Sequence, residues 1–84
     1  MRLSELKDAL VRAGIRDDAY ELTGGLPPER FCIQEVTNGW EVYYSERGVK
    51  SHLKVFPSER EAADYFLRFV LSDPSAYTVR PAGR

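Results

Sequence analysis

The sequence predicts an α+β domain of order α-β-β-β-α, with a three- or four-stranded antiparallel sheet and helices on one face. Residues 4–13 and 58–71 carry apolar side chains at helical spacing. Between them, three stretches with strand-like patterning are joined by tight turns that contain glycine. The 84 residues suit one domain, 1–84, in which 79–84 is expected to be a frayed tail.

The first helix is bounded by signals at both ends. Ser4 is a plausible N-cap, and Glu5 lies in the first turn, where the helix dipole favours an anion. Gly14 is placed to end the helix in a left-handed conformation, and Ile15 to make the accompanying apolar contact. The apolar stripe of this helix consists of Leu3, Leu6, Ala9, Leu10 and Ala13.

Residues 16–30 allow two interpretations. Asp17 and Asp18 can cap a single helical turn, or residues 20–22 can form a short edge strand. The glycine and proline pairs at 24–25 and 27–28 then require a loop. No helix follows the paired glycines and no Lys-Ser/Thr pair is present, so the loop does not match a phosphate-binding motif and no cofactor is predicted.

Residues 31–36, 40–46 and 49–56 are the three predicted central strands. Asn38-Gly39 predicts a two-residue hairpin turn, and Arg47-Gly48 predicts a second. The first turn sets Ile33 opposite Tyr44 and Gln34 opposite Tyr43. The second gives the pairs Trp40–Val55, Val42–Leu53, Tyr44–Ser51, Glu41–Lys54, Tyr43–His52 and Ser45–Lys50. This register produces one mostly apolar face and one polar face.

The second helix begins with a capping box, in which Ser58 and Glu61 satisfy free backbone donors. Asp73-Pro74 is expected to end it, and residues 77–79 can add a further edge strand. The stripe of the helix should cover the apolar sheet face. The predicted core includes Trp40, Val42, Leu53, Val55, Phe66 and Phe69.

Composition excludes several classes of function. The net charge of −1 provides no general attraction to nucleic acid or anionic membranes, and no apolar run approaches a membrane span. Residues 1–46 carry 5 Lys/Arg against 9 Asp/Glu, and residues 47–84 carry 7 against 4, so the charge is divided unevenly. A single cysteine favours a reducing compartment, and we expect a cytoplasmic protein.

The residue types for catalysis or metal binding are scarce. Cys32 and His52 are the only residues of their kinds, and the predicted register places them on outer strands about 10 Å apart. That separation prevents direct proton transfer between nucleophile and base. A structural zinc site needs four Cys or His ligands. The sequence therefore predicts no enzyme and no metal site.

The polar sheet face is the predicted protein-binding site. Tyr43 lies at its centre as an aromatic anchor, and aromatic side chains with surrounding charges are typical of protein interfaces. The alternative is a solvated face held by cross-strand pairs. The predicted binding residues are Gln34, Glu41, Tyr43, Glu46, His52 and Lys54. The partner and the oligomeric state are not determined by the sequence.

A second functional class is an accessory regulatory domain or one similar to the double-stranded-RNA-binding domain. The α-β-β-β-α order matches that domain, which contacts phosphates with a basic start to its second helix. Here that start is Ser58-Glu59-Arg60-Glu61, with one Arg against two Glu. Nucleic acid is therefore a disfavoured partner.

Three segments together resemble a family of small bacterial immunity proteins from polymorphic toxin systems. The resemblance extends over most of residues 1–71, and the segments that carry it read Tyr20-x-Leu22-x-Gly24-Gly25, Trp40-Glu41-Val42-Tyr43-Tyr44-Ser45-Glu46-Arg47-Gly48 and Phe56-x-x-Glu59-x-x-Ala62. The resemblance implies a bacterial cytosolic protein that binds and neutralises a secreted toxin, such as a nuclease domain. It assigns no binding residues.

Overall fold

The computed structural model describes residues 1–78, and the α+β prediction is confirmed. Two helices pack on one face of a four-stranded sheet whose strand order is β1-β2-β3-β4. The elements are α1 (Leu3–Arg12), β1 (Tyr20–Glu21), β2 (Arg30–Val36), β3 (Gly39–Glu46), β4 (Val49–Phe56) and α2 (Glu59–Leu71). The predicted tail at 79–84 lies outside the described residues.

Helix α1 ends as its sequence predicts but begins earlier. Gly14 has a φ of +82°. The Ile15 amide donates to the Leu10 carbonyl at 3.0 Å, which is the 6→1 hydrogen bond of the Schellman motif that ends many helices at a glycine. Arg2, rather than Ser4, is the N-cap, and its amide donates to Glu5 Oε1 at 2.8 Å. Glu5 thus satisfies a free donor at this end, and the Ser4 assignment is wrong by two residues.

Both interpretations of residues 16–30 are realised. Asp17–Ala19 forms one 3₁₀ turn, and β1 follows it directly. Strand β1 runs parallel to β2, so the sheet is mixed rather than wholly antiparallel. Tyr77 of the optional strand at 77–79 makes a single antiparallel bridge with Ile15, while Val79 lies outside the described residues.

The register of the first hairpin is shifted by two residues from the predicted one. Val36 pairs with Gly39, so Thr37 and Asn38 form the turn and Ile33 lies opposite Val42. The predicted pairs of Ile33 with Tyr44 and of Gln34 with Tyr43 are therefore wrong. A shift of two residues leaves every side chain on its predicted face, because side chains alternate with a period of two.

The second hairpin contains a β-bulge that the sequence analysis missed. The predicted pairs Tyr44–Ser51 and Ser45–Lys50 are present, but beyond the bulge Val42 lies opposite Lys54. On β4 two residues, His52 and Leu53, occupy the space opposite Tyr43, and His52 has a φ of +56°. The predicted pairs Trp40–Val55, Val42–Leu53 and Glu41–Lys54 are wrong for this reason, and the bulge takes the place of the predicted Tyr43–His52 pair.

The bulge changes which side chains form the core. Val42 and Phe66 are buried, and Trp40 and Phe69 are half-buried against the core, as expected from the helix stripe. Leu53 and Val55, in contrast, are 46% and 62% exposed. One extra residue on β4 moves the following side chains to the opposite face, so the prediction of these two as core is wrong.

Candidate protein-binding face

The sheet face that points away from the helices is called the open face. At its centre Glu41 links three strands: its Oε1 accepts hydrogen bonds from Gln34 Nε2 at 3.0 Å and Lys50 Nζ at 2.9 Å. These bonds, Lys50 first, lower the pKa of the Glu41 carboxyl below its usual range. This polar group is internally satisfied before any partner binds.

The loop of residues 22–29 covers one half of the open face. The Tyr43 hydroxyl donates to the Gly25 carbonyl at 2.6 Å, and Gly24 packs against the Gln34 side chain. Cys32 and Tyr43 are fully buried under this loop. Burial raises the pKa of the Cys32 thiol to about 11 and that of the Tyr43 phenol to about 12.

The other half of the open face carries the exposed apolar side chains of β4. Leu53 and Val55 alternate with Lys54, whose Nζ lies 5.9 Å from the Tyr65 ring on the helix side. The two apolar side chains therefore point away from the helices, toward solvent. Strand β4 is also an edge of the sheet, since β3 is its only neighbour among the described strands.

The six predicted binding residues fall into two groups. Gln34, Glu41 and Tyr43 belong to the open face. Tyr43 is fully buried and its hydroxyl is bound to the Gly25 carbonyl, so the expectation that Tyr43 is an anchor within reach of a partner is wrong. The remaining three, Glu46, His52 and Lys54, lie on the helix side of the sheet.

Sequence reasoning missed Leu53 and Val55 as surface residues. Their alternation with Lys54 is the pattern of a half-buried strand, and either face can be the apolar one until the register is known. No Gly marks the bulge in the segment from Val49 to Phe56. The predicted pairing of Lys54 with Glu41 favoured the register without a bulge. In the structure Lys50, and not Lys54, pairs with Glu41.

Glu46 and His52 line a second feature, a shallow cavity of about 380 Å³ that is open to solvent beside the C-terminal end of α2. The His52 ring meets the Phe69 ring edge-on, with 6.2 Å between ring centroids. We call this feature the aromatic cavity; its other lining residues are Phe31, Tyr44, Phe69, Ser72 and Asp73.

The structure also places the two residues considered for nucleophilic chemistry. Cys32 lies beneath the loop on the open face, whereas His52 lies on the helix side of the sheet. The sheet therefore separates thiol and imidazole. Within residues 1–78, no group of three or more His, Cys, Asp and Glu side chains is arranged to hold a metal ion.

Comparison of the chain with protein-family models, curated proteins and solved structures finds no match. Among the described residues, no helix has the length and apolar content needed to cross a membrane.

Proposed function

We propose that the chain is a non-catalytic protein-binding module that uses the β4 half of its open face. The observation that carries the proposal is the exposure of Leu53 and Val55 beside the polar Glu41–Lys50 pair. An apolar centre with a polar rim is the usual composition of a protein interface. The helices cover the other sheet face, so folding does not require these two side chains to be apolar.

Docking on the face fits β4 better than addition of a strand to its edge. The β4 edge carries Lys50 and Lys54 and is distorted by the bulge at His52. Lysines and bulges are features that protect an edge strand from pairing with another chain. The partner therefore contacts side chains of the open face rather than the free backbone groups of β4.

For the partner, we propose a bacterial toxin that this chain neutralises, as the resemblance of the three sequence segments implies. A protein with that role acts in the cytoplasm of the cell that makes the toxin, and the proposal includes this location. Glu41 is already engaged by Lys50 and Gln34. The affinity is therefore proposed to come mainly from apolar contact and not from pairing of Glu41 with a basic toxin surface.

The proposal expects a toxin gene next to the gene for this chain, and the test is co-expression with the domain that such a gene encodes, with growth rescue and the measured affinity as readouts. The double variant Leu53→Ser/Val55→Ser should weaken binding by about 2 kcal/mol or more, roughly thirtyfold. Val11→Ser is the matched control, because Val11 is 54% exposed but lies on α1. Circular dichroism should show both variants folded.

Two results would contradict this proposal. Full rescue and unchanged affinity in the folded double variant would remove the β4 half of the open face from the interface. No binding by the unaltered chain would remove the toxin as partner.

No observation favours RNA binding as a second function. At the start of α2, Glu59 Oε2 accepts a hydrogen bond from the Leu3 amide at 2.8 Å. Glu61 lies in the same turn and contacts Ser58. Two carboxylates where phosphate would bind oppose contact with a nucleic-acid backbone.

A further inference from the structure

The aromatic cavity has walls suited to a flat or alkyl group. Phe31 packs edge-to-face with Tyr44 and with Phe69, each with ring centroids 4.9 Å apart. Tyr44 and Phe69 are both half-buried, so part of each ring surface remains available to a ligand. The volume of about 380 Å³ lies within the usual range for small-ligand sites.

The β-bulge contributes one wall of the cavity. In the register without a bulge, residue 52 would lie opposite Tyr43 on the open face. The left-handed conformation of His52, with φ of +56°, accompanies the change that places its ring against Phe69 instead. The same extra residue thus turns Leu53 outward and completes the cavity on the other side of the sheet.

The charges at the cavity are negative. Glu46 and Asp73 are its only Asp or Glu lining residues, and no Lys or Arg lines it within the described part of the chain. Asp73 uses Oδ1 to accept bonds from the Ser75 amide and hydroxyl, and Glu46 makes no salt bridge among residues 1–78. A positive group would therefore meet two carboxylates that have no Lys or Arg beside them among the lining residues of the described chain.

The pKa of the Tyr44 phenol is affected by the same negative charges. Its pKa is raised first by burial and then by the negative charges of Glu29, Glu46 and Asp73. The positive charge of Arg16 opposes them, but its guanidinium is already bound by Asp18 and the Ser75 carbonyl. The end of α2 adds to the field, because a helix C-terminus carries partial negative charge.

We propose that the aromatic cavity binds the head of an organic cation, a guanidinium or alkylammonium group, between Glu46 and Asp73 and against the Tyr44 and Phe69 rings. Carboxylates attract the charge, and aromatic faces attract a cation while tolerating its flat or alkyl part. This site is separate from the open face and does not depend on the proposed function.

The probe is ethylguanidinium chloride, titrated into the ¹⁵N-labelled full chain at constant ionic strength. Amide resonances of cavity residues, including Glu46, His52 and Ser72, should shift and saturate. Ethylurea has nearly the same shape without the charge and should leave them unchanged. Equal shifts with ethylurea, or shifts spread over all acidic surfaces without saturation, would overturn the proposal.

Charge-removing variants test the two carboxylates. Glu46→Gln and Asp73→Asn should each weaken ethylguanidinium binding about two- to fivefold, as expected for partly exposed charge pairs. Asp73→Asn keeps an oxygen that can accept the Ser75 bonds, so the local fold should persist. Glu35→Gln is the matched control at the opposite end of the sheet. Equal affinity in all three variants would refute the assigned site.

Such a cation can be a free small molecule or the arginine side chain of a protein, and two ligands distinguish these sources. Agmatine represents a free small molecule, and an acetyl-Gly-Arg-Gly amide peptide represents an arginine side chain of a protein. Tighter binding of the peptide supports a protein-borne ligand, whereas tighter binding of agmatine supports a free one. Leu53→Ser/Val55→Ser should bind both as the unaltered chain does, which separates this site from the open face. Failure of both ligands to bind would overturn the proposal.

Discussion

Removal of the Tyr43 hydroxyl should loosen the loop of residues 22–29 without unfolding the domain. The hydroxyl donates to the Gly25 carbonyl at 2.6 Å, and Tyr43 is fully buried. Tyr43→Phe keeps the ring and removes one hydrogen bond, so we expect a loss of about 1 kcal/mol. For a domain of this size, that loss lowers Tm by about 4–8 °C.

Tyr43→Ala should be much more damaging, because it removes the whole buried ring. Truncation of a buried aromatic side chain costs about 3–5 kcal/mol. The total stability of a domain is about 5–15 kcal/mol, so a large part of it would be lost. The Ala variant therefore tests folding rather than binding, in contrast to the expectation for an exposed anchor.

Urea denaturation and amide hydrogen exchange together provide the assay. In Tyr43→Phe the Gly25 amide, which donates to Gln34 Oε1 at 3.4 Å, should exchange faster. Tyr77→Phe is the matched control: its hydroxyl donates to the Leu71 carbonyl at 2.8 Å, far from the loop. It should lower stability by a similar amount and leave Gly25 exchange unchanged. Unaltered stability and exchange in Tyr43→Phe would refute the loop contact.

Three further predictions follow from burial, ionisation and backbone geometry. Leu53→Ala should change the free energy of unfolding by about 0.5 kcal/mol, against about 2–5 kcal/mol for buried Ile33→Ala; equal urea midpoints would refute the bulged register. Stability should fall as pH rises from about 9 to about 12, because the pKa values of Cys32 and Tyr43 are raised from 9.0 to about 11 and from 10.0 to about 12, so that the folded state retains protons that the unfolded state loses. Denaturation from pH 8 upward checks this, and a midpoint independent of pH would contradict it. Gly24→Ala should cost about 1–2 kcal/mol or more in thermal unfolding, because φ is +82° and a Cβ would lie 2.0 Å from Gln34 Oε1; a stability gain would contradict the close contact.

Apart from the Ser4 cap, local signals predicted the helix ends well because these ends are encoded by neighbouring residues. The Gly14 stop is present, and the Ser58 side chain accepts the Glu61 amide bond at 3.2 Å, as its capping position predicts. Both signals act within one turn of chain. Their outcome depends little on the rest of the fold.

The candidate site was less predictable, because it depends on one inserted residue in β4. His52 in a left-handed conformation has no local sequence signal, since non-glycine residues seldom adopt it. The alternation of Leu53 and Val55 was visible, but the face they occupy was not. The burial of Tyr43 was also hidden, because it is produced by a loop without periodic pattern.

The pairing of Ile15 with Tyr77 has a consequence for the order of folding during synthesis. The Arg16 amide donates to the Ala76 carbonyl at 2.8 Å, and Thr78 donates back to Gly14 at 2.6 Å, so the segments after α1 and α2 are joined. The second segment is made about sixty residues after the first. At ribosomal rates of about 5–20 residues per second, several seconds pass before α1 can find this partner. Until then Leu6 and Leu10 lack Phe66, Val70 and Ala76, with which they share the core of the folded chain.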